Sequence, residues 1–350
     1  MDRNELLKTI SAICTPGKGI LAADESIGTI GKRFDAISLE NSRENRIKYR
    51  DLLFRSPNLH EHISGVITYE ETLLDMYNGD RLIQPLLENN IMVGIKVDMG
   101  VKPLYGTCGE TVTQGLDGLD ERCKKYYDAG ARFAKWRAVL KIDMEKQLPS
   151  DLSMHENAVT LARYASICQN NGLVPIVEPE ILMDGGHTIE EAYQVTYKTL
   201  NLVYRELVRH HVQIDCTLLK PNMVRQGVSC IVPVDFKAIG SWTVKALRDS
   251  VPASMPGVVF LSGGMSEVEA TIALNEINSS DEKTPWYLTF SYGRALQASV
   301  LRVWKGKDEH IEEAQTMLLK RAKENGLASQ GQYKNREETG SSLHENNYTY

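Results

Sequence analysis

Lys220 closes the run CTLLK (216–220), and Pro221 follows it directly. Proline offers no N–H to a strand ladder, so a strand here stops at the lysine and carries a primary amine to the rim of a core. An ammonium that is partly desolvated and near a second cation binds its proton less tightly and becomes nucleophilic near neutral pH. Such an amine forms an imine with a carbonyl substrate. Lys135 is the expected neighbouring cation, and Glu178 and Glu180 are placed to move the protons that dehydrate the carbinolamine. These residue types together read as a Schiff-base lyase.

Other ionisable residues also stand where apolar runs end. The set is Asp24, Lys96, Lys135, Arg137, Glu178, Glu180, Lys220 and Arg294. Side chains two apart on a strand share a face, so Lys135 with Arg137 and Glu178 with Glu180 form same-side pairs. Five cations against three anions leave a surplus of +2 in a chain whose formal net charge is -6. That reversal points to an anionic ligand. The runs FLSGG (260–264) and SYGRA (291–295) add glycines, which let backbone N–H groups approach an anion. Ser262, Gly263, Gly293 and Arg294 are therefore candidates to hold a phosphate, with Gly264 beside them. The histidine pairs His60 with His62 and His210 with His211 sit away from any strand-end carboxylate, so neither a metal nor a cofactor is expected.

The elements that must position these groups alternate. Strand candidates are 18–24, 63–69, 91–97, 132–140, 172–178, 216–220, 257–262 and 286–291. They are apolar throughout, as strands covered on both faces are. Helical patterns lie between them, among them 158–171, 189–211 and 266–277, the last opened by a capping box of Ser266 and Glu269. Eight strands, each followed by a helix, make an α/β fold of the closed (β/α)8 TIM-barrel type, whose chemistry sits at the C-terminal ends of the strands. An open doubly wound sheet is the alternative, but the first strand is not followed by G-x-G-x-x-G. The charged stretch 41–55 reads as a solvated helix face. Residues 1–328 form one domain, and the polar, aperiodic stretch 329–350 reads as a mobile tail.

Composition narrows the partners. With 350 residues, 42% of them apolar, and a net charge of -6, the chain is an ordinary globular protein and a poor binder of nucleic acid. Its start lacks a signal-peptide pattern and no eighteen apolar residues run together, so no membrane insertion is expected. Six cysteines without C-x-x-C spacing suit reduced thiols and a cytoplasmic location.

The motifs GKGILAADES (17–26), GIKVD (94–98), GARFAKWR (130–137), VPIVEPEIL (174–182), LLKPNMV (218–224), FLSGG (260–264) and LTFSYGRALQASV (288–300) resemble class I fructose-1,6-bisphosphate aldolase. The resemblance runs from about residue 15 to 328, and SLHENNYTY at the end is similar to tails of apicomplexan members. It implies that Lys220 is the Schiff-base lysine and that Glu178 serves carbinolamine dehydration beside Glu180 and Lys135. Asp24 matches the carboxylate that helps deprotonate the C4 hydroxyl. Ser262, Gly263, Ser291, Gly293 and Arg294 match the C1-phosphate site, with Arg33 serving the same end. Ser26, Thr29 and Lys96 match the C6-phosphate site, Arg137 is a further pocket cation, and Tyr350 matches the C-terminal tyrosine that helps protonate the enamine. Met99 and Thr29 depart from the family, which commonly has lysine and serine there.

The resemblance further implies fructose 1,6-bisphosphate and triose phosphates as ligands and a homotetramer. It also raises a second role in binding actin or acidic adhesin tails. A transaldolase-like barrel would share the chemistry of Lys220, but two phosphate sites and the EPE run disfavour it.

Overall fold

Eight parallel strands close on themselves in the computed structural model, which describes residues 2–280, 283–334 and 341–348. They are β1 Gly19–Ala23, β2 Ile63–Thr68, β3 Met92–Lys96, β4 Phe133–Leu140, β5 Val174–Ile181, β6 Leu218–Leu219, β7 Gly257–Phe260 and β8 Tyr287–Tyr292. Each pairs in parallel with its neighbours in chain order, and β1 meets β8 to complete the barrel. The expected (β/α)8 architecture is the observed one. Helices such as Asp151–Asn170, Ile189–Arg209 and Glu267–Asn278 cover the outside, and Ser266 with Glu269 forms the expected capping box.

Most strands end within two residues of their expected bounds, and the larger departures, in β5 and β6, have local reasons. β5 runs on through Pro179 to Ile181, because its full length pairs with β4 in a register that sets Arg137 opposite Glu178 and Val139 opposite Glu180. β6 is only two residues long, squeezed between a 3-10 turn at Ile214–Cys216 and Pro221.

The floor of the barrel is closed by the helix Arg3–Ile13, whose Leu6, Ile10 and Ile13 pack with Ile20, Phe133, Ile176 and Val259. Inside, Phe133 takes the space that Gly94 leaves open; a Cβ on Gly94 would meet the ring at 2.2 Å. Chemistry is thereby confined to the opposite, C-terminal mouth.

Two expectations need correction. The charged stretch 41–55 forms the helix Arg43–Phe54, but only part of it is solvated: Tyr49 and Arg50 are buried, and Arg50 pairs with Glu25 at 2.8 Å. The tail is not uniformly free either. Tyr333 is buried after the helix Ile311–Ala328, and residues 341–348 lie across the barrel mouth. Among the described residues no helix is long and apolar enough to cross a membrane.

Candidate active site

The mouth is built by register. The Lys220 N–H donates to the Val177 carbonyl at 2.8 Å, and Leu219 stands opposite Val177, so the lysine leaves the wall level with Glu178 on the adjacent strand. Lys135 on β4 reaches the same carboxylate from the other side. Glu178 Oε1 is 3.4 Å from Lys220 Nζ, and its Oε2 is 3.5 Å from Lys135 Nζ. Lys135 Nζ lies 2.8 Å from Asp24 Oδ2, beyond the end of β1. Lys135 is wholly buried, and the side chains of Asp24, Glu178 and Lys220 are no more than 6% exposed.

Two ammoniums and two carboxylates therefore alternate through one desolvated chain, which removes most of the cost of burying any of them. Burial pushes the Asp24 carboxyl up. Lys135 first, then Lys220, pull it down by more, and the net direction is below the usual aspartate value.

The other strand-end charges are also paired. Arg137 Nε bonds Glu180, and Lys96 Nζ is 2.6 Å from Asp98 Oδ1. Adding Asp98 and Arg33 to the strand-end set gives six cations and four anions, so the local surplus of +2 survives with different members. It comes to rest on Arg33 and Arg294. Both line an open cleft at the mouth together with Asp24, Glu178, Glu180, Lys220, Ser262, Gly263, Ser291 and Gly293. Ser291 Oγ is buried there with no hydrogen-bond partner among the described residues, a polar group available to a ligand.

Burial pulls the Arg294 guanidinium below the usual arginine range. On Arg33, burial is outweighed by Tyr348 and Glu345, and the direction is upward.

Not every expected residue lines this cleft. Ser26 caps the helix Ile27–Asp35, its hydroxyl accepting from the Thr29 N–H at 3.3 Å. Lys96 is turned onto Asp98, Arg137 is buried against Glu180 and the Tyr348 carbonyl, and Gly264 lies against the tail. Met99 is 62% exposed at the rim. Tyr350 lies outside the described residues.

Sequence reasoning missed Glu25, Arg50, Glu345 and Tyr348. Glu25 lines the cleft and holds Arg50, which comes from a helix whose alternating charges look solvated when read alone. Tyr348 had one legible signal, an aromatic residue two places before the terminal tyrosine.

A family model described as "Fructose-bisphosphate aldolase class-I" matches residues 5–350. The chain belongs to that family. A fructose-bisphosphate aldolase of Dictyostelium discoideum is 56% identical over 352 residues, covering 99% of this chain and 98% of the relative. One of Plasmodium falciparum is 55% identical, covering 99% and 95%, and the "Fructose-bisphosphate aldolase 4, cytosolic" of Arabidopsis thaliana is 54% identical, covering 99% and 89%. A solved Plasmodium falciparum fructose-bisphosphate aldolase, described as a complex with TRAP and a small-molecule inhibitor, superposes with a TM-score of 0.94 at 55% identity, covering 95% of this chain and 96% of that one. The activity is reversible aldol cleavage of fructose 1,6-bisphosphate to dihydroxyacetone phosphate and glyceraldehyde 3-phosphate, the glycolytic reaction of this lyase family.

Proposed function

We propose that Lys220 is the imine-forming residue and that Glu178 serves it as the proton carrier. The observation that carries this reading is the position of Glu178 between the two buried ammoniums, within 3.4 Å of Lys220 and 3.5 Å of Lys135. Glu178 takes a proton from the Lys220 ammonium, and the neutral amine adds to the C2 ketone, forming the N–C bond while a second proton of the nitrogen passes to the former ketone oxygen. Glu178 then protonates the departing hydroxyl, water leaves, and an iminium remains on Lys220.

Asp24 accepts the C4 hydroxyl proton. The C3–C4 electron pair moves into the iminium, giving an enamine on Lys220 and releasing glyceraldehyde 3-phosphate. Against the effect of burial, Lys135 and then Lys220 hold the Asp24 carboxyl below the usual aspartate value, the direction that favours its ionised, proton-accepting form. Protonation of the enamine and hydrolysis of the resulting imine release dihydroxyacetone phosphate. Tyr350 completes the reading as the group that assists enamine protonation.

Arg33, Arg294, Ser262, Ser291 and the backbone at Gly263 and Gly293 hold the C1 phosphate, and Ser26, Thr29 and Lys96 the C6 phosphate. Lys96 reaches that end only by turning from Asp98. A cytoplasmic location belongs to the same reading, supported by the cytosolic naming of the Arabidopsis relative. Borohydride reduction in the presence of fructose 1,6-bisphosphate, followed by peptide mapping, should place the label on Lys220. Label on Lys135 or Lys96 would overturn the assignment. Lys220→Arg should abolish labelling and turnover, since a guanidinium stays protonated.

A further inference from the structure

One side-chain amide holds the chain on both flanks of Asp24. Gln297 Nε2 donates one hydrogen to the Ala22 carbonyl at 2.8 Å and the other to Glu25 Oε1 at 3.2 Å. Its oxygen accepts from the Tyr49 hydroxyl at 2.9 Å. Chemistry fixes this orientation, since a flipped amide would aim its oxygen at two acceptors. Gln297 and Tyr49 are both buried, so these bonds are made away from water, where an unmade one is costly.

The contact sits where the barrel ladder runs out. The last pair between β1 and β8 is Leu21 with Tyr292, and Ala22 is the next residue. Gln297 takes over from there, on the helix Arg294–Trp304 that follows β8. The approach is close: a Cβ on Gly293 would stand 3.2 Å from the Ala22 oxygen. The helix Arg43–Phe54 braces the far side. Its Tyr49 stacks on Trp304 with ring centroids 5.3 Å apart, and its Arg50 donates to the second oxygen of Glu25 at 2.8 Å.

We propose that Gln297 is a positioning residue that aims Asp24 at the C4 hydroxyl. The proposal rests on Asp24 being the acceptor of that proton. Gln297 lies one turn along from Arg294, so a single helix sets both the arginine and the turn that carries the base. Proton transfer depends on that aim to a fraction of an ångström. Lys220 and Glu178 take their places from the register of β4, β5 and β6 instead. Losing the amide should therefore slow C3–C4 cleavage and spare imine formation.

Two variants of the full chain test this. Gln297→Met keeps the length and loses the amide; Gln297→Glu keeps an acceptor for Tyr49 and loses both donors. Each should lower kcat for fructose 1,6-bisphosphate by about 10²-fold, the effect of a group displaced by about 1 Å, with KM near the wild-type value. Borohydride trapping on Lys220 should keep its wild-type rate. So should exchange of the C3 hydrogen of dihydroxyacetone phosphate with solvent, which involves no C4 hydroxyl. A merely structural Gln297 would lower cleavage, trapping and exchange together; that pattern, or an unchanged kcat, overturns the proposal. If neither variant folds, Tyr49→Phe removes the hydroxyl that holds the amide and should still lower cleavage relative to exchange, and an unchanged ratio is then the overturning result. Asp24→Asn keeps the two readings apart. If it retains cleavage, Asp24 is not the base; if it loses cleavage while Gln297→Met does not, the positioning role alone fails.

Discussion

Glu178 Oε1 stands 3.4 Å from Lys220 Nζ, inside a wall that leaves both side chains no more than 5% exposed. A buried carboxylate at that distance is held to the ammonium by a strong, weakly screened attraction, and it is the nearest group able to take or give the proton. Glu178→Gln keeps the shape and removes the proton carrier. We expect turnover to fall by about 10²–10⁴-fold, the usual worth of a positioned acid or base. Borohydride-trapped imine should form correspondingly slowly. Imine formation at the wild-type rate would remove Glu178 from the dehydration step.

Asp24 makes a pH-dependent contribution whose sign can be stated. Its folded carboxyl is depressed, chiefly by Lys135 against the opposing effect of burial. The stability it adds is therefore complete above the unfolded aspartate value of about 3.9 and is lost as pH falls through the lower folded value. Asp24→Asn should flatten the acid limb of stability measured by denaturant midpoints, while imine trapping on Lys220 persists and C3–C4 cleavage is lost. Equal acid limbs in the two proteins would show that Asp24 is not held as described.

Arg294 and Lys96 should behave differently when truncated. Arg294→Ala removes a charged partner from a largely buried anion site, worth roughly 2–5 kcal/mol in kcat/KM toward both the bisphosphate and fructose 1-phosphate. Lys96→Ala should weaken chiefly the bisphosphate. It also strands the Asp98 carboxylate, whose side chain is 1% exposed, and should cost about 3–5 kcal/mol of folding stability in denaturant titrations. Equal kinetic effects of both changes on both substrates would reverse the assignment of the phosphate ends.

Two tyrosines of the tail can be separated kinetically. Deleting Tyr350 should leave fold and imine formation intact and slow enamine protonation, so that the covalent intermediate accumulates and bisphosphate turnover falls toward that of fructose 1-phosphate. Tyr348→Phe keeps its ring against the guanidiniums and loses the bond from Arg33, so the intermediate should not accumulate. The opposite pattern would make Tyr348 the protonating residue.

Much of the reacting centre is local and hence visible in the chain. Alternation along one strand sets Lys135 with Arg137 and Glu178 with Glu180 on a common side, and Pro221 stops β6 at Lys220. Apolar runs of strand length between helical patterns imply the barrel, and the barrel implies which ends carry chemistry. What each charge touches is set by cross-strand register and barrel closure, which no single segment encodes. Register gave Glu178 to both lysines, the turn after β3 drew Lys96 onto Asp98, and closure of β8 against β1 brought Arg294 to Arg33. The tail's polar composition allowed a free extension, because a segment without a core of its own shows no periodicity. Only the assembled mouth, with two arginines facing one opening, supplies the charge that seats Glu345 and Tyr348.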